Sequence, residues 1–169
     1  MKCGEFDKRN QQFLDSFNEE YYFNSLISSE DNGGVIIFDV GAHKGESAIF
    51  FNKLFPDSKI YSFEPNPLAA ENISTLNLKN VQVFNMALTD RNGMAEFYIQ
   101  DISHLSSLNM INKSSEASVG YAEKEKHTVQ DVTVMRGDEF CVQNKVDYIN
   151  FLKIDVQANE VSTLKGFSN

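Results

Sequence analysis

Three acidic residues each close an apolar run: Asp39 after Val35-Ile36-Ile37-Phe38, Glu64 after Lys59-Ile60-Tyr61-Ser62-Phe63, and Asp155 after Tyr148-Ile149-Asn150-Phe151-Leu152-Lys153-Ile154. Carboxylates placed this way can accept hydrogen bonds from ligand hydroxyls, orient an amine, hold a cation or take up a proton. The first run leads into Gly41-Ala42-His43-Lys44-Gly45, where glycines let the backbone approach a ligand that a Cβ would hold away. Glu64 follows that loop by roughly 20 residues, the distance at which a strand-turn-helix-strand unit sets an acid against both hydroxyls of a ribose.

The loop discriminates between ligands. A dinucleotide fingerprint needs G-x-G-x-x-G, and this chain offers only Gly41 and Gly45, with His43 where the second glycine should admit a pyrophosphate. NAD is therefore disfavoured. A phosphate-binding Walker loop is disfavoured as well, because Lys44-Gly45-Glu46 would bring a carboxylate toward the phosphates. A zwitterionic adenosyl ligand without phosphates fits better.

The elements that must position these residues follow from the pattern. Residues 35–40 read as a doubly covered parallel strand and 46–54 as a helix with Ala48, Ile49, Phe51 and Leu54 turned inward. Residues 59–64 give a second strand, 68–76 a helix after the Pro65-Asn66-Pro67 turn, and 81–85 a third strand. The alternation predicts an α/β fold: a Rossmann-like parallel sheet with helices on both faces. Residues 95–99 and 128–134 look like an antiparallel pair at the rim of that sheet, and the Ser-rich segment 103–120 between them like a loop. A short helix over 136–142 and a fourth core strand over 146–155 follow. Residues 1–34, with Phe13, Leu14, Phe17, Tyr21, Leu26 and Ile27 near helical spacing, form an accessory helical extension ahead of the 35–169 domain.

Composition removes several function classes. Lys plus Arg is 15 against Asp plus Glu 24, a formal charge of -9, and no stretch supplies the basic face that nucleic acid requires. Cys3 and Cys141 lie at opposite ends of the chain with no Cys/His cluster around either, so neither a disulfide framework nor a metal site is encoded. Met1 to Asn10 lacks the apolar core of a signal peptide, and no apolar run is long enough to span a membrane. A cytoplasmic protein with no membrane partner is expected.

Phe38-Asp39-Val40-Gly41-Ala42-His43-Lys44-Gly45, Tyr61-Ser62-Phe63-Glu64-Pro65-Asn66-Pro67 and Phe151-Leu152-Lys153-Ile154-Asp155-Val156 resemble, in order and spacing, the motifs of FkbM-type methyltransferases. Ala87-Leu88-Thr89-Asp90 and Ser106-Ser107-Leu108 add to the likeness, which runs from about Val35 to Gly166. The resemblance implies S-adenosylmethionine as cofactor and methylation of a hydroxyl on a small molecule or saccharide. It implies that Asp39, Gly41, Ala42, His43 and Gly45 surround the methionine part, that Glu64 with Pro65 beside it binds the ribose, and that Met86 and Ala87, next to Asn85, lie near the adenine. Ser107 belongs to a segment like the family's closing loop. Asp155 is placed to orient the methionine amine, bind a cation, act as base or merely cap a helix, and His104 and His127 are alternative bases.

Two departures leave other readings open. Where the family typically has Asp-Val-Glu-Gly-Ala-Glu, this chain has Asp155-Val156-Gln157-Ala158-Asn159-Glu160, so Gln157 keeps the shape of a glutamate and loses its charge. The sequence also stops at Gly166-Phe167-Ser168-Asn169, where the family fold continues with three more strands, on the order of 50 residues. The expectation is a sheet truncated after its fourth core strand, with an exposed apolar edge that favours self-association. A non-catalytic nucleoside-binding or assembly module is the second reading, and an NAD-linked oxidoreductase the third.

Overall fold

The computed structural model describes residues 34–100, 108 and 127–168. The chain divides between Gly33 and Gly34, and the expected amino-terminal helix, His104, Ser107 and most of the Ser-rich segment lie outside the described residues. The elements, in order, are β1 (Ile36–Val40), α1 (Glu46–Leu54), β2 (Lys59–Phe63), α2 (Pro67–Thr75), β3 (Val81–Phe84), β4 (Ala87–Thr89), β5 (Gly93–Gln100), β6 (His127–Arg136), α3 (Gly137–Asn144), β7 (Phe151–Ile154) and α4 (Glu160–Lys165).

β1, β2, β3 and β7 form one parallel sheet in the order β3-β2-β1-β7. The chain thus winds outward from β1 to β3 and then returns to the other side of β1. That reversal opens a crevice above the carboxyl ends of β1 and β7, the place where such sheets bind ligands. The fold is the Rossmann-like α/β arrangement the alternation predicts.

Both faces of the sheet are covered. Phe38, Val40, Tyr61, Phe63, Phe84, Leu152 and Ile154 share one face, on which Phe140 of α3 packs. The Phe140 ring meets Phe38, Tyr61, Phe63 and Phe84 edge-on, at centroid distances of 5.6, 5.8, 4.7 and 4.8 Å. Burying such a side chain contributes about 1.5–3 kcal/mol, and the edge-to-face geometry adds to it. The alternate residues point the other way, where Phe51 of α1 packs on Phe151 of β7 at 5.3 Å.

The helices begin where local chemistry dictates. Gly45, at φ 88°, turns the chain into α1, whose first turn carries Glu46 and whose last carries Lys53, both favourable to the helix dipole. Asn66 caps α2 by accepting the amide of Leu68, with Pro67 as first helical residue.

Two expectations need correction. The antiparallel pair exists, as β5 on β6 from Gly93↔Val134 to Gln100↔His127, yet it is not the rim of the parallel sheet. It joins β4, which pairs parallel with β6, in a separate three-stranded sheet of order β4-β6-β5. β4 is three residues long, too short to show a period. The fourth core strand is also shorter than residues 146–155: only Phe151–Ile154 is extended, because Val146 and Asn150 serve as anchors instead. Val146 N–H donates to Cys141 O at the end of α3, and Asn150 bonds to Ile36 through both its amide and its side chain.

Candidate functional site

The carboxyl ends of β1, β2 and β7 open on a cavity of about 300 Å³ lined by Gly41, Ala42, His43, Glu64, Pro65, Ala87 and Asp155 among the residues singled out from the sequence. That volume is at the lower end of small-molecule sites. Asp39, Gly45 and Met86 do not line it: Asp39 lies beneath the loop, Gly45 starts α1, and Met86 packs against the core. Val40, Glu46, Ser47, Phe63, Asn66, Ala69, Leu88, Phe97, Leu108, Lys153, Val156, Gln157 and Asn159 complete the lining without having been singled out as ligand contacts.

Glu64 is 6% exposed, and two backbone amides hold it. Its Oε2 accepts the amide of His43 and its Oε1 that of Asn66, both at 2.8 Å. One carboxylate therefore ties the β1 loop to the start of α2, and each oxygen keeps a lone pair for a ligand hydroxyl. Burial pushes the Glu64 carboxyl up to about 6, although the two amides oppose the shift. Asn85 fixes the same strand end by donating to Glu64 O and Pro65 O, at 2.9 Å each.

The glycines have reasons beyond ligand approach. A Cβ on Gly41 would stand 1.9 Å from Asp155 O, so this position, at φ 80°, must be glycine for β1 and β7 to close together. A Cβ on Gly45 would press on Leu76 and Ile73 of the α2 region at 3.1 and 3.3 Å. The loop is held by Gly41 and Ala42 amides donating to Phe63 O.

Beneath the loop runs a polar row that the register creates: Ser62 of β2, Asp39 of β1 and Lys153 of β7 are cross-strand neighbours. Asp39 is fully buried. Lys153 Nζ stands 3.0 Å from Asp39 Oδ1 and donates at 2.8 Å to Gly41 O. The contact with Asp39 is an ion pair without hydrogen-bond alignment, and neither carboxylate oxygen has a hydrogen-bond partner among the described residues. Burial raises the Asp39 carboxyl above its ordinary value while Lys153 pulls it down. Lys153 was legible only as a cation inside an apolar strand, and that anomaly was the signal available.

Asp155 is exposed at the end of β7, where its Oδ1 accepts Gln157 Nε2 at 3.1 Å. Asn159, not Asp155, occupies the position before α4, so the helix-cap reading of Asp155 does not hold. His127 begins β6 at the far end of the three-stranded sheet from Val134, which pairs with Ala87 of the cavity wall.

A Rossmann-like crevice, an acid on the second strand and a glycine turn on the first restrict the chain to ligands that such sheets hold. The family profile of the methyltransferase FkbM domain matches residues 39–169. The chain belongs to the FkbM methyltransferase family. It is 26% identical over 155 residues to the 2-O-methyltransferase NoeI of Sinorhizobium fredii, an alignment covering 83% of this chain and 60% of that protein. The matched region of this family member takes in every lining residue named above. After β7, Gln157 and Ala158 carry left-handed backbones, at φ 52° and 70°. Among the described residues no group of three or more metal-ligating side chains occurs, and no helix is long and apolar enough to cross a membrane.

Proposed function

We propose that this chain binds S-adenosylmethionine across the carboxyl ends of β1, β2 and β7 and directs methyl transfer to a hydroxyl of a small molecule or saccharide. The observation that carries the reading is Glu64: a buried carboxylate at the carboxyl end of β2, held by two backbone amides, with lone pairs left for a ribose diol. The residues present fit such a ligand. Ala87, Leu88, Phe97 and Leu108 supply an apolar wall for a flat base, and no run of glycines is provided for a pyrophosphate. The relative NoeI is named for 2-O-methylation, which supports a hydroxyl acceptor.

The cofactor supplies an activated methyl on a sulfonium, so the chain's own residues have to align, dehydrate and deprotonate. The loop from Gly41 to Gly45 faces the methionine part, with Lys153 holding the Gly41 carbonyl in place. Asp155, exposed at the cavity mouth, takes the acceptor's proton or orients it. His104 and Ser107 remain candidates on the segment outside the described residues. The same proposal includes a cytoplasmic location and self-association of the chain; a monodisperse monomer by light scattering at high concentration contradicts the latter.

The test is incubation with S-adenosylmethionine and a panel of saccharides, following S-adenosylhomocysteine release and methylated product by mass spectrometry. Turnover that falls by about a hundredfold in Asp155→Ala supports the reading, general-base contributions being on the order of 10²–10⁴. The altered Gln157-Ala158-Asn159 segment favours one second reading, a non-catalytic nucleoside-binding module. Tight cofactor binding with no methyl transfer across the panel selects it.

A further inference from the structure

Asn159 stands at the start of α4 and lines the cavity, yet its side chain does none of the usual capping work of a residue in that place. Its side chain makes no capping hydrogen bond. The residue is 8% exposed, and its Nδ2 is buried with no hydrogen-bond partner among the described residues. Its backbone oxygen is fully used, accepting Thr163 N–H at 3.0 Å and Thr163 Oγ1 at 3.1 Å, so the backbone is fixed while the amide donor stays unspent. Buried donors without a partner are rare because they lose their hydrogen bonds to water and gain none.

The surroundings say what the donor would meet. Glu64 lies at the end of β2, β1 is central, and Asn159 follows β7 on the opposite side. With the ribose at Glu64, the amino-acid end of an adenosyl ligand falls on the side of β7. That end carries an ammonium and a carboxylate. Glu46 on the cavity wall suits the ammonium, whereas the carboxylate needs donors. Two donors there are already engaged: Lys153 Nζ with Gly41 O and Asp39, and Gln157 Nε2 with Asp155. The left-handed Gln157 and Ala158 set Asn159 into the wall, and such backbones gather at ligand sites.

We propose that Asn159 Nδ2 donates a hydrogen bond to the carboxylate of the cofactor's amino-acid part, which makes Asn159 a specificity-determining residue for ligands that carry it. The inference rests on the S-adenosylmethionine reading above. The test is calorimetric titration of the chain, and of Asn159→Ala and Asn159→Asp, with S-adenosylhomocysteine and with methylthioadenosine, which keeps the nucleoside and lacks the amino acid. The expected result is affinity for S-adenosylhomocysteine reduced about tenfold in Asn159→Ala. The loss is larger in Asn159→Asp, where carboxylate faces carboxylate, and methylthioadenosine binds all three alike. The ligand-free Tm of Asn159→Ala stays level or rises, because the substitution removes a buried donor that has no partner among the described residues. Unchanged affinity for both ligands, or equal losses for both, overturns the assignment of Asn159 while leaving the cofactor reading intact. Failure of the unaltered chain to bind either ligand overturns that reading and this inference together.

Discussion

The turns that leave β1 and β7 lie side by side, and each must swing the chain through left-handed backbone, but they do so with different residues. After β1 the left-handed positions include Gly41 and Gly45, for which such a conformation is free of strain, together with His43. After β7 they are Gln157 and Ala158, whose Cβ atoms make the same conformation costly. The β1 turn carries a single non-glycine residue, His43, in that conformation and is built to admit a neighbouring backbone. The β7 turn is strained, and it sets Asn159, whose Nδ2 has no hydrogen-bond partner among the described residues, into the cavity wall. The difference separates closure of the sheet from the shaping of the ligand's far end.

The strongest way to break this contrast is Gly41→Ala. With a Cβ 1.9 Å from Asp155 O at φ 80°, the two strand ends must part, and a loss of about 3 kcal/mol or more is expected in urea unfolding. A loss under about 1 kcal/mol would show that the β1 turn has slack. Lys153→Met probes the polar row beneath the same turn by leaving Asp39 buried without its cation, at an expected cost of about 3 kcal/mol near neutral pH. Asp39 without Lys153 has a carboxyl raised further above its unfolded value. Its contribution is therefore present at acid pH and lost as pH rises, so the variant should regain stability on acidification relative to the parent chain. Pairing it with Asp39→Asn should restore most of the loss.

Glu64 gives an effect of intermediate size. Its carboxyl is raised from 4.5 to about 6 in the folded chain. The contribution to stability is thus whole below 4.5 and lost as pH climbs through 6, amounting to about 2 kcal/mol. Chemical unfolding followed across that window should show the decline, and Glu64→Ala should flatten it. The smallest effect sharpens the comparison from the other side: Ala158→Gly relieves one left-handed residue and should raise stability by about 1 kcal/mol, visible as a higher Tm. No gain would mean that the β7 turn is not strained.

Much of this was legible in the sequence because β1, β2 and β7 are apolar runs that end in Asp39 or Glu64 or run into Asp155, and a parallel strand covered on both faces must read that way. The three-stranded sheet was legible only in part. β5 and β6 expose Met94 and Val129 on one side, which blurs the alternation, and pairing with the three residues of β4 depends on a long-range register that no local pattern encodes. Within the site, the glycines and Glu64 could be read from spacing, whereas Lys153 and Asn159 could not. Lys153 meets Asp39 only because β7 returns beside β1. Asn159 becomes notable only once its amide is seen to lack a partner.

The central claim is that Glu64 and the β1 turn form a site for S-adenosylmethionine and not for a dinucleotide, and calorimetric titration of the chain with S-adenosylmethionine and with NAD tests it most directly. Saturable binding of S-adenosylmethionine alone is expected, weakened tenfold or more in Glu64→Ala. Binding of NAD, or S-adenosylmethionine binding that is indifferent to Glu64→Ala, would contradict it.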